Sequence, residues 1–231
     1  FSPAISEISG LLGEQAGLSV DTLIRNDLTD GATTDFAGGA TARTNIDATN
    51  DVISFQDIIQ NVAQLETQNA LPIQGMMYVA ICHPHTWATL MQDSTFVTLF
   101  TREGGGALRN GRIGTILNLE FYVSSNARIY AAGGTGSIDV YDMLFLGKEA
   151  YVTAGLTGLF PNLGGDGGGE QIRGGMTGKK VNVVEVIVKD LGEGGLDPLN
   201  QRGTVGWKVT NANTVLNANW LRNLEHATDF S

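Results

Sequence analysis

Charge, cysteine and uninterrupted apolar sequence are all scarce in this chain of 231 residues, and each scarcity excludes something. Charged residues make up 16%, well short of the customary quarter, and 14 basic residues face 24 acidic ones for a net charge of −10. A dedicated grip on DNA or RNA needs clustered Lys and Arg to displace phosphate counterions, so that class of function drops out. The single cysteine, Cys82, forbids an intrachain disulfide and with it a disulfide-stapled scaffold; its apolar neighbours read as those of a buried thiol. No stretch approaches 18 uninterrupted apolar residues, so nothing reads as a transmembrane helix. The chain opens Phe1-Ser2-Pro3-Ala4 with neither an initiator Met nor a basic stretch before an apolar run. The expectation is a soluble protein from which an N-terminal segment is missing.

What the chain does have is glycine, 31 residues or nearly twice the usual share of about 7%, and a hydrophobic content of 42% that suffices for a core. Its length fits one or two domains. Apolar positions at Ile5, Ile8, Leu11 and Leu12, then Val20, Leu23, Ile24 and Leu28, have helical spacing interrupted near Gly13 and Gly17. That pattern predicts two short helices, the second capped by Ser19 with Asp21 in its first turn. From Thr29 to Asp51 large apolar residues nearly vanish, and a Gly38-Gly39 turn suggests that Thr33 to Ala37 pairs with Thr41 to Ile46 as a projecting hairpin, or that the segment orders only on a partner.

The clearest helix runs from Ser54 to Asn69, with Phe55, Ile58, Ile59, Val62 and Leu65 on one face and Ser54 with Asp57 resembling a capping box. A strand at Met77 to Cys82 and a helix from Pro84 to Gln92 follow. Residues 101 to 114 form a glycine-rich loop carrying Arg102, Arg109 and Arg112. Further strands are expected at 119–124, 140–146, 151–154 and 181–188, and around Val205, Trp207 and Val209. The order is helices, mixed elements, then strands: an α+β class without regular βαβ alternation.

No catalytic constellation emerges. Gly178-Lys179 resembles the end of a phosphate-binding loop, but Arg173 stands where its first glycine belongs and Lys180 where Ser or Thr should hold magnesium. Cys82, His83 and His85 are the only clustered soft-metal ligands, yet Cys82 and His83 face opposite ways on a strand entering a helix. A metal-dependent enzyme using His83 and His85 is therefore the weakest of three readings. Asp139 and Asp142 are a carboxylate pair of a kind common on solvated faces. The expectation is a non-enzyme with no catalytic, cofactor-binding or metal residues and no cofactor.

Several blocks in order carry a resemblance: Leu18-Ser19-Val20-Asp21-Thr22-Leu23, Ala37 through Arg43, Tyr78 through Pro84, Gly111-Arg112-Ile113-Gly114 with the strand at Phe121, Phe145 through Tyr151, and Asp197 through Lys208. Together, over about residues 17–226, they resemble the major capsid proteins of tailed phages of the coliphage N-four type. The resemblance implies a Hong Kong 97-type capsid fold. Laid onto it, 1–28 is the N-terminal arm and helices, 29–53 the extended loop, 54–75 the spine helix of the peripheral domain, 76–180 the axial domain, and 181–231 the return to the peripheral domain.

It also implies a function: self-assembly into hexamers and pentamers of an icosahedral phage head around double-stranded DNA that is touched only non-specifically. Scaffolding, portal and decoration proteins are the further candidate partners, no membrane is one, and the location is the virion after assembly in the host cytoplasm. Net negative charge suits a container whose wall must not cling to phosphate. The runner-up is a cellular compartment shell of the same fold. Some such shells join a lysine on the extended loop to a neighbour's asparagine, but Lys148, Lys179, Lys180, Lys189 and Lys208 all lie outside 29–53, so a noncovalent shell is expected.

Overall fold

Three glycines inside the first apolar pattern do not break it: in the computed structural model, helix α1 runs unbroken over Pro3–Gly31. Each glycine costs a helix about 1 kcal/mol against alanine, too little to stop one with helix formers on both sides. Ser19 accordingly caps nothing; its hydroxyl donates to the Gln15 carbonyl one turn back at 2.8 Å, as Thr22 does to Leu18. The structure describes residues 3–73, 77–102, 112–116, 118–155, 185–189, 204–209 and 211–230. The glycine tract at 164–178, the Gly178-Lys179 pair and most of the arginine-bearing loop lie outside them.

The chain forms two compact units, one of residues 1–24 with 153–213 and the other of 25–152 with 214–231. In the first, β8 (Glu185–Lys189) and β9 (Thr204–Lys208) pair antiparallel, and Trp207 stands opposite Val186.

The second unit is built on a seven-stranded mixed sheet. Its strands are β1 (Thr33–Phe36), β2 (Tyr78–Cys82), β3 (Arg112–Ile116), β4 (Leu119–Val123), β5 (Ile129–Tyr130), β6 (Val140–Leu146) and β11 (Leu221–His226). The order is β1-β11-β6-β2-β4-β3, with β5 added to β6. β1 runs parallel to β11 and β2 parallel to β4, while β11 and β2 both run antiparallel to β6. All seven residues of β6 and all six of β11 are buried, as strands covered on both faces require. Two further strands, β7 (Tyr151–Gly155) and β10 (Asn211–Val215), pair with each other.

On one face lie α2 (Phe55–Thr67), α3 (Pro84–Leu90) and α4 (Ser94–Arg102). Ile58, Val62 and Leu65 of α2 join Phe96, Phe121, Met143, Phe145 and Leu224 in the main core, where Phe96 meets Phe55, Trp87 and Phe121 edge-on at 5.6 to 5.9 Å. The expected capping box is present: Asp57 accepts from the Ser54 backbone N–H at 3.0 Å while the Ser54 hydroxyl meets the Asp57 N–H at 3.4 Å. The buried stripe, however, is Phe55, Ile58, Asn61, Val62 and Leu65. Ile59 lies outside it at 42% exposure, because a step of three residues from 55 to 58 and four from 58 to 62 turns position 59 away from the sheet.

The projecting hairpin does not form. Thr33–Phe36 leaves Thr41 to Ile46 unpaired as a strand and instead adds to β11 as a sheet edge, with Phe36 opposite Glu225. Ile46 is fully buried with Val140 and Ala227, against Phe36 and Tyr130. Backbone hydrogen bonds between Ile53 and Ala227, Ala227 and Asp51, and Thr135 and Ile46 stitch the rest of the segment down. Gly38 makes the turn with φ of 65°, and a Cβ there would strike the Asp51 carboxylate and the Asn50 carbonyl. The polar segment is thus tied to its own chain by backbone groups and a few apolar anchors.

Candidate functional site

Alternation along β11 and β6 sends Leu224, Met143 and Phe145 toward the helices and Glu225 and Asp142 to the opposite face, where charge is concentrated. Glu225 is 1% exposed and directly opposite Asp142 in the antiparallel register. Arg43, from the stitched segment, closes over them: its Nε and Nη2 donate to the two Glu225 carboxylate oxygens at 2.7 and 2.6 Å. Its guanidinium also lies 3.4 Å from the centroid of the Tyr130 ring, with Arg128 at 4.6 Å. Arg128 in turn donates to Thr29 and Asp30, both at 2.5 Å, and Arg25 to the Asn126 carbonyl at 2.6 Å. Arg222 of β11 forks onto Asp35 of β1, with Nε at 2.8 Å.

Electrostatics are uneven across this layer. Burial, and then the neighbouring Glu225, push the Asp142 carboxyl well above the usual carboxylate range, and neither of its oxygens has a hydrogen-bond partner among the described residues. Hydrogen bonding to Glu225 raises the Arg43 guanidinium still further against the opposing effect of burial. Arg43 ties its segment to β11, Arg222 ties β1 to β11, and Arg25 and Arg128 tie residues 25–30 to residues 126–128, an arrangement suited to fixing a shape.

The histidines lie on the helix-bearing face. His83 caps α3, its Nδ1 accepting from the His85 N–H at 3.1 Å, and its pKa is lowered by burial and then by His85. His85 Nδ1 meets the Tyr141 hydroxyl at 2.8 Å, and its ring stacks on Phe230 at 4.9 Å. Cys82 is buried in the main core, its thiol pushed up to about 12 by desolvation, so it is neither a nucleophile nor a ligand beside His83. His226 is fully buried and held neutral by a pKa lowered to about 4; its Nδ1 sits 2.9 Å from the Ala227 carbonyl, leaving Nε2 to accept from Thr86 at 3.4 Å. The structure thus brings His83 and His85 together with Tyr141 and Phe230, and among the described residues no group of three or more His, Cys, Asp or Glu converges for a metal ion.

Sequence reading missed the Arg43–Glu225 pair and the buried Asp142. One signal was present: Asp142 interrupts the otherwise apolar run Val140–Leu146, which marks a carboxyl carried into the core.

Comparison with known proteins places this architecture. A family model described as phage capsid protein matches residues 1–212. Among solved structures, the capsid of Ralstonia phage GP4 is similar with a TM-score of 0.57 and 17% identity, over 87% of this chain and 53% of that one. The capsid of cyanophage P-SCSP1u gives 0.58 and 14%, over 97% and 66%, and a Mycobacterium phage Che8 chain gives 0.54 and 14%, over 92% and 60%. The chain therefore spans about half to two thirds of the length of these relatives. A comparison with curated proteins finds no match. With a mixed sheet flanked by helices, the α+β fold shared with Hong Kong 97-type capsids, and a family match over nine-tenths of its length, the chain belongs to the phage capsid protein family.

Proposed function

We propose that this chain is a shell-forming part of a major capsid protein of the coliphage N-four type, packing as hexamers and pentamers into an icosahedral head around double-stranded DNA. The family match over residues 1–212 carries the reading. The chemistry of the described residues supports it: side chains that would serve catalysis are spent on caps, stacks and ion pairs that hold one backbone shape. A structural and non-enzymatic role follows, with the virion as its location after assembly in the host cytoplasm, and scaffolding, portal and decoration proteins as partners.

The proposal revises one assignment. At 29 residues and about 43 Å, α1 has the length for a spine helix, whereas α2 has 13 residues and serves the sheet. The unit of residues 25–152 and 214–231 then corresponds to the axial domain and that of 1–24 and 153–213 to the peripheral one.

A net charge of −10 makes packaged DNA a tenant held by confinement more than by contact. Electron microscopy of the purified full-length protein tests the reading: closed shells or rings of five and six subunits are expected. Monodisperse monomers at tens of micromolar, by microscopy and light scattering alike, would refute it.

A further inference from the structure

Beside the sheet edge, between β1 and α2, lies a cleft of about 260 Å³ lined by Asp35, Asp57, Gln60, Asn61 and Gln64, with Leu224 among its apolar walls. Positions 57, 60, 61 and 64 form one stripe of α2, and Asp35 faces it from β1. Among the described residues no lysine or arginine lines it. One carboxylate oxygen of Asp35 is taken by Arg222, and one of Asp57 by the Ser54 N–H and hydroxyl. Two carboxylates against one guanidinium leave the site one negative charge in excess.

Asn61 makes this more than an acidic patch. It is 3% exposed, its amide Nδ2 donates to the Asp57 carbonyl at 3.0 Å, and its Oδ1 has no partner among the described residues. A buried amide oxygen left unmade costs about 1–3 kcal/mol, and an apolar residue at this position of the buried stripe would avoid that cost. An acceptor retained there, beside excess negative charge, calls for a donor that carries positive charge.

We propose that the cleft between β1 and α2 is a binding site for a guanidinium group. A planar guanidinium offers five donors in fixed directions and no acceptor, matching the Asn61 oxygen, the remaining carboxylate oxygens and the adaptable amides of Gln60 and Gln64. The group has two possible carriers, the arginine side chain of a second copy of this chain or a free guanidino compound.

The test is a titration of the unassembled protein with ethylguanidinium chloride, following side-chain amide resonances by NMR, with tetramethylammonium chloride as a control that has charge but no donors. Saturable shifts at Asn61, Gln60 and Gln64 are expected with ethylguanidinium alone, weakened about tenfold or more in Asn61→Leu, the worth of a hydrogen bond to a charged group. Gln60→Leu, a change on the rim of the cleft, should weaken binding while leaving far-UV circular dichroism unchanged, which keeps the test valid if Asn61→Leu perturbs folding. Equal responses to both salts, linear shifts without saturation, or binding untouched by both substitutions would overturn the proposal. Shifts at the same amides that appear without probe as protein concentration rises assign the group to a neighbour's arginine; their absence beside saturable probe binding assigns it to a free compound.

Discussion

Replacing Arg43 by methionine keeps most of the side-chain volume and removes only the charge and its fork, which isolates the ion pair on the charged face of the sheet. The partner left behind, Glu225, is 1% exposed and would lose two charge-assisted hydrogen bonds of 2.7 and 2.6 Å. Stripping one member from a buried pair costs about 3–5 kcal/mol. Here the Arg43 side chain is 40% exposed, so water can partly replace it and the lower end, about 3 kcal/mol, is expected. Glu225→Gln should cost less, because the exposed part of Arg43 rehydrates, and the double variant should reveal a coupling of about 2 kcal/mol. Urea unfolding of the unassembled subunit at pH 7, followed by tryptophan fluorescence, measures all of this. A cost below about 1 kcal/mol at pH 7 would refute the reasoning.

Asp142→Asn should act in the opposite direction, stabilising the subunit at pH 7 by about 1 kcal/mol or more, because the native carboxyl is buried without a partner among the described residues. Its folded pKa is raised, so the wild-type group costs nothing below its unfolded value near 3.8 and increasingly more as pH rises; the gain from Asn in urea titrations should fade toward pH 4. Ile58→Asp should cost several kcal/mol and yield insoluble protein, whereas Ile59→Asp should leave unfolding of the isolated subunit within about 0.5 kcal/mol of wild type; equal costs at the two positions would contradict the observed helix face. Mature particles boiled in detergent and reductant should run as a single monomer band, since no lysine stands in 29–53 and Cys82 is buried; a ladder of multiples would show covalent fastening.

The sequence is legible where one period dominates. Ser54 to Leu65 declares its helix through apolar spacing and a cap, and β2, β4 and β6 fall where short β-branched and aromatic runs stand. Ile59 was misplaced because an apolar residue at the margin of a stripe satisfies a helical pattern whether or not the sheet reaches it. Gly13 and Gly17 misled because a helix break was inferred from a penalty smaller than that needed to break a helix. The Glu225 pair was harder still: its partner Arg43 is 182 residues away, and no local pattern reports a contact of that separation.

The polar segment after α1 shows how composition misjudges order. With almost no large apolar residues, 29–51 looked unable to pack on its own chain, an argument that counts hydrophobic burial alone. The fold supplies other anchors. Asp47 accepts from the N–H groups of Thr49 and Asn50 at 2.7 and 2.6 Å, and its own N–H donates to the Asp51 carboxylate at 2.9 Å, so the turn satisfies its polar groups locally. Arg43 brings the cation that Glu225 lacks, and Ile46 fills a gap beside Val140. The buried Glu225 of β11 creates a demand that a neighbouring apolar segment would leave unmet; a polar segment bearing one well-placed arginine meets it. Arginine suits the task because its flat fork engages both carboxylate oxygens while its face covers Tyr130, two contacts that a lysine at position 43 would forfeit together. The arginine that fastens the segment thus also neutralises Glu225 in the sheet beneath it.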